Sequence, residues 1–161
     1  MDRCMVSTAV IATVCGIASP GAEAQTAKDL VGTWTLVSAD IHRTGYRIQV
    51  FGPDPSGRLM FGGDGHYALI FLRRDLPRIA SHDRTSETSD ESQAIVQGSI
   101  AHFGTYAVEG NILVFHIEGG TFPNWTGADQ RRPFALAGNV LTYTSPGSAG
   151  FPVKVTVRRA E

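Results

Sequence analysis

The segment from His116 to Arg132 concentrates groups able to hold or transform a small molecule. It contains an imidazole, an amide, an indole and a guanidinium, with Tyr106 one hairpin upstream. An imidazole titrates near neutrality and can serve as acid, base or hydrogen-bond partner, which makes His116 a candidate catalytic group. Arg132 offers two parallel donors that match a carboxylate or an enolate, and the Tyr106 phenol can stabilise a developing oxyanion. Trp125 either stacks on a ligand or plugs its loop against the protein body. Asn124 is of the type that holds a turn through side-chain to backbone bonds. Each has an ordinary structural reading as well: His116 as a satisfied interior or rim histidine, Arg132 as a fixed partner of Glu118 or of a loop carbonyl. An arginine turned inward is costly without a partner, so the remaining candidate for Arg132 is an anionic oxygen of a ligand.

Other chemistry is missing from the sequence. The five histidines, at 42, 66, 82, 102 and 116, show no H-x-H or H-x-x-x-H spacing, so no metal site is expected. Gly62-Gly63-Asp64-Gly65 reads as a hairpin and not a phosphate loop, since no Lys-Ser/Thr follows and no helix starts there. Gly147-Ser148-Ala149-Gly150 lacks the glycine two places before serine that a nucleophile elbow requires. Glu87, Asp90 and Glu91 read as a solvated helix start, and no carboxylate pair suits glycoside chemistry. No cofactor is expected. The formal net charge of −1, without a basic cluster, removes the electrostatic term that dominates nucleic-acid binding.

The elements that must position these groups are strands. From Leu30 onward the dominant hydrophobic period is two, broken by turn residues. The runs are 30–41, 46–51, 58–62, 66–73, 103–108, 112–118, 132–136, 140–144 and 153–159, with hairpin signals at Glu109-Gly110-Asn111 and Ala137-Gly138-Asn139. Residues 74–102 interrupt the pattern. Thr88-x-x-Glu91 fits a capping box, and Ile95, Val96, Ile100 and Phe103 suggest one apolar face of a short helix from Ser89 to His102. The expectation is an all-β, up-and-down antiparallel barrel of eight or nine strands with one short helix between strands 4 and 5. Short connections favour this over an immunoglobulin-like sandwich, which needs longer crossovers. In the sixth strand Ile112, Val114, His116 and Glu118 share one face and Leu113, Phe115 and Ile117 the other. Alternation alone leaves open which face is inward.

At the N-terminus Arg3, the uncharged apolar run from Met5 to Ala18, and Ala22-Glu23-Ala24 before Gln25 read as a secretory signal peptide over residues 1–24. The run is too short to span a bilayer. The expected mature chain, residues 25–161, is a single domain destined for the periplasm or the exterior. Cys4 and Cys15 both fall in the segment to be removed, so a packed core and not disulfides must hold the mature fold.

Two sets of residues carry a resemblance. Gly32-x-Trp34 on the first strand is similar to the lipocalin Gly-x-Trp signature, in which the indole closes the barrel base against an arginine near the end of the last strand, here Arg158 or Arg159. The longer match runs, in order, through Gly52-x-Asp54-x-x-Gly57-x-Leu59, Asp64-Gly65, Gly104-Thr105-Tyr106, His116, Pro123-Asn124-Trp125-x-Gly127-x-x-Gln130-x-Arg132 and Leu141-Thr142. It resembles the lipocalin-like domain family of bacterial and fungal proteins over roughly Leu30 to Pro146. The resemblance implies a small calycin-type barrel with an internal cavity. Some similar proteins sit in natural-product pathways and look like cyclases or isomerases, although an export signal departs from a cytoplasmic biosynthetic role.

Together, the resemblance and the hairpin lead to the expectation that Tyr106 and His116 face the cavity. Trp125 and Asn124 would then sit at its rim, with Arg132 returning into its wall. The function expected is binding of a small, partly apolar molecule by Tyr106, His116, Asn124, Trp125 and Arg132. The alternative is a cofactor-independent isomerase or cyclase with His116 as acid or base and Arg132 or Tyr106 at the oxyanion. A third reading, a barrel serving only as an interaction scaffold, would show a filled interior and an exposed apolar patch.

Overall fold

A computed structural model describes residues 25–161. The expected signal peptide, with both cysteines, lies outside the described residues. Alternation decides the strand faces: Ser56–Phe61 buries Gly57, Leu59 and Phe61 and exposes the residues between, and His66–Leu72 buries Tyr67, Leu69 and Phe71. The strands are β1 (Gly32–Arg43), β2 (Tyr46–Gln49), β3 (Ser56–Phe61), β4 (His66–Leu72), β5 (Ser99–Glu109), β6 (Ile112–Gly120), β7 (Asp129–Ala137), β8 (Val140–Ser145) and β9 (Val153–Arg159). All pairings are antiparallel and follow chain order from β3 to β9. Pairing of β1 with both β3 and β9 closes an eight-stranded barrel, and β2 adds a ninth strand beside the far end of β1. The expected up-and-down barrel is therefore the architecture. Among the described residues, closure leaves β2 as the strand with a free edge.

Helix α1 (Ala27–Leu30), a single turn that the alternation did not announce, precedes β1 and buries Leu30. Helix α2 (Ser89–Gln97) lies between β4 and β5, and its N-terminus is the expected capping box: the Thr88 side chain accepts from Glu91 N while Glu91 accepts from Thr88 N. It stops five residues earlier than expected. The Gly98 amide closes the last turn on Ala94 O, and the Gly98 carbonyl accepts from Arg73 N, which draws the chain in beside β4. Ile100 and Phe103 consequently belong to β5. Among the described residues no helix is long and apolar enough to cross a membrane.

The two ends of the barrel differ. At the base, Leu30 and Trp34 are fully buried, and Trp34 Nε1 donates to Leu30 O at 2.8 Å. Arg159, of the two arginines proposed for this role, lies with its guanidinium 4.3 Å from the indole centre and donates to the carbonyls of Val31 and Asp29. Phe61, Tyr106 and Leu113 fill the space above this floor. At the other end α2, the β8–β9 loop and a 3-10 turn over Pro123–Trp125 surround an opening.

Candidate ligand cavity

Register fixes what each side chain can reach. The β5–β6 hairpin pairs Glu109 with Ile112, so its turn is the two residues Gly110 and Asn111, and Tyr106 stands opposite Phe115. Directly opposed residues share a face, so Tyr106 and Phe115 point inward while Thr105 and His116 point out. The expectation that Tyr106 and His116 share the cavity is corrected on this point. His116 is exposed and its Nδ1 lies 2.7 Å from Asp129, its cross-strand neighbour on the outer wall. Tyr106 does face inward, but it belongs to the base: its hydroxyl donates to Gly62 O at 2.9 Å and its ring packs 4.7 Å from Phe61.

Above the packed base a cavity of about 450 Å³ opens toward the mouth. Its walls are largely apolar: Ala39, Leu69, Phe71 and Val155 from the strands and Phe51 from the β2–β3 loop, with Ile95 and Val96 reaching over from α2. Tyr67, Leu69 and Phe71 do form one inward face of β4, with Leu69 and Phe71 on the cavity and Tyr67 in the core beside it. Trp125 lines the rim, edge-on to His102 at 5.8 Å and to Phe122 at 5.3 Å. Asn124 is exposed, is not among the residues lining the cavity, and its side chain makes no hydrogen bond among the described residues. Backbone bonds hold the turn instead, from Trp125 N to Phe122 O and from Gly127 N to Ile117 O.

Arg132 is the group in this cavity that costs most to keep there. It pairs across β6–β7 with Leu113, which puts it inside, and it is 2% exposed. The expected partner Glu118 sits on the outer surface. The guanidinium donates instead to Gln130 Oε1 at 2.6 Å, and its carbon lies 4.4 Å from the Phe115 ring centre and 5.3 Å from that of Tyr143. Its Nε and the Tyr143 hydroxyl are both buried without a hydrogen-bond partner. Burial disfavours the charge on Arg132, and it pushes the Tyr143 phenol up to about 12 against the pull of the guanidinium.

Sequence reasoning passed over His102, which faces the same space. It is buried, its Nδ1 sits 2.8 Å from the Tyr67 hydroxyl, and its Nε2 makes no hydrogen bond within the described protein. Burial, assisted by the positive charge of Arg132, lowers its pKa to about 3, so the ring is neutral at ordinary pH. Burial likewise raises the Tyr67 phenol, which keeps its proton. That proton has one acceptor within reach, His102 Nδ1. Donating it there avoids stranding a buried O–H and fixes the imidazole proton on Nε2, facing the cavity. The signal was present in the sequence: His102 lies four residues before Tyr106, and strand parity places the two on one face. The expected helix through His102 concealed it.

A family model described as a lipocalin-like domain matches residues 31–150. No curated protein matches the sequence. Among solved structures, a redesigned β-barrel is similar at 15% identity, covering 88% of this chain and all (100%) of its own, with a TM-score of 0.46. A mutant of the fluorescent protein UnaG is similar at 13% identity, covering 83% of this chain and 97% of its own, with a TM-score of 0.38.

Proposed function

Because the chain belongs to the lipocalin-like domain family, we propose that it binds a small, partly apolar molecule inside its barrel, admitted between α2 and the Pro123–Trp125 turn. The observation that carries this reading is the cavity itself. A space of about 450 Å³ with apolar walls and a few polar groups at its inner end has the size and character of a small-molecule site. A barrel acting only as a scaffold would gain stability by filling that space with side chains. Of the five residues expected to bind ligand, Trp125 and Arg132 line the cavity, and His102 and Tyr143 join them.

The isomerase or cyclase alternative is not favoured. His116, its intended acid or base, stands on the outer wall, and His102 is too weakly basic near neutral pH to take its place. The proposal includes export of the chain, which rests on the N-terminal pattern alone. The mass of the protein purified from its host tests that part: a chain beginning at Gln25 supports it, and an uncut cytoplasmic chain overturns it.

Binding is tested with Nile red, a neutral apolar dye. Saturable binding with blue-shifted emission and energy transfer from Trp125 is expected, lost in the Ala39→Trp variant, whose indole fills the cavity. Dye binding that survives Ala39→Trp would place the dye elsewhere and sink the reading.

A further inference from the structure

The polar groups at the inner end of the cavity share one property. The Arg132 guanidinium has an unused Nε–H, the Tyr143 hydroxyl has a free proton, and His102 turns its Nε2–H inward. All three are donors. Gln130 Oε1, an acceptor beside them, is already taken by Arg132. Among the described residues no carboxylate pairs with the buried cation, whose charge is met by an amide and by the faces of Phe115 and Tyr143. An unpaired buried charge is among the most expensive groups a fold can hold, and apolar residues of similar size would serve the core better. All three border one ring: the His102 and Tyr143 ring centres are each 6.1 Å from that of Phe115, and Arg132 stacks on the same ring.

Resting on the small-molecule reading above, we propose that the ligand is an amphiphilic carboxylate that enters head first. Arg132 and Tyr143 hold its carboxylate, and a keto or hydroxyl oxygen near the head accepts from His102 Nε2. The tail runs along Leu69, Phe71 and Val155 toward Ile95 and Val96 at the mouth. Chemistry selects this class. A carboxylate accepts two parallel bonds from a guanidinium and supplies the missing counter-charge where the dielectric is low. An apolar alcohol of equal length would bury the same tail and leave the cation unpaired. Tyr67 is a positioning residue, since its hydroxyl proton fixes the His102 tautomer.

The test is calorimetric titration of the full mature protein with decanol, decanoate and γ-oxodecanoate. Decanoate is expected to bind about tenfold or more tightly than decanol. In Arg132→Met that preference disappears while decanol still binds, and the ligand-free variant melts at or above the wild-type temperature. γ-Oxodecanoate is expected to outbind decanoate in the wild type, an advantage that His102→Phe removes and Tyr67→Phe weakens. Equal affinity for decanoate and decanol in the wild type overturns the inference and leaves the cavity reading standing. Failure of all three to bind overturns both. The first comparison uses no variant, so it does not depend on any substitution folding.

Discussion

Burial presses Arg132 and His102 in the same direction, against the charged form, and the two groups answer differently. The guanidinium stays charged because its intrinsic affinity for protons exceeds the cost of burial, whereas the imidazole gives up its proton. The second effect links stability to pH. In the unfolded chain His102 takes a proton below about 6.5; in the folded barrel, facing Arg132, Tyr67 and Tyr143, it does so only near pH 3. Between those values the unfolded state binds the extra proton, so acid favours unfolding, by about 1.4 kcal/mol per pH unit for this one group. Urea denaturation of the wild type and His102→Phe from pH 7 to pH 4 measures the contribution. The variant is expected to lose stability with a shallower slope on acidification, and identical slopes would show that His102 is not the titrating group.

Two glycine-bearing devices shape the strands, and both were partly legible. Gly104, at φ 157° in the β5 bulge, lies so close to β6 that a Cβ there would overlap the His116 carbonyl and come within 2.9 Å of Glu118 N. Gly104→Ala is expected to cost about 3 kcal/mol in urea denaturation, with the inner wall beside His102 disturbed. At the base, Arg159→Ala removes the bonds to the carbonyl of Asp29 in α1 and of Val31 just after it, and the stack on Trp34, a loss of about 2 kcal/mol. Exposed Arg158→Ala should change the same midpoint by less than about 0.5 kcal/mol. The Gly32-x-Trp34 pattern announced this floor because it is a local motif with a distant but conventional partner. The face of β6 was harder to read. Ile112 and Val114 make its outer side nearly as apolar as the side carrying Leu113 and Phe115, so hydrophobicity does not break the tie, and a turn counted as three residues instead of two inverts every side chain beyond it. Counted as two, the same turn places Tyr106 opposite Phe115 and sends His116 outward.

At the scale of the whole molecule, strand order was readable because nearly every connection is a short hairpin, while the cavity was not. Sequence periodicity reports which residues point inward, and only the sum of their volumes against the barrel's interior reports whether they fill it. The asymmetry between a packed floor and a hollow mouth follows from where the large side chains fall along each strand, with Trp34, Phe61 and Tyr106 low and Ala39, Ser145 and Val153 high. Closure of the barrel also sets a clock. The hairpins from β3 to β9 can form from near neighbours, but the seam between β1 and β9 joins the two ends of the domain, and the bond from Arg159 to Val31 spans 128 residues. Contacts that distant are bought late, after the chain's entropy has been spent, and topologies dominated by them refold in milliseconds to seconds. Until β9 arrives, β1 and β8 present open edges and the cavity lacks the wall that Val153 and Val155 supply, so β9 is the strand that makes the container.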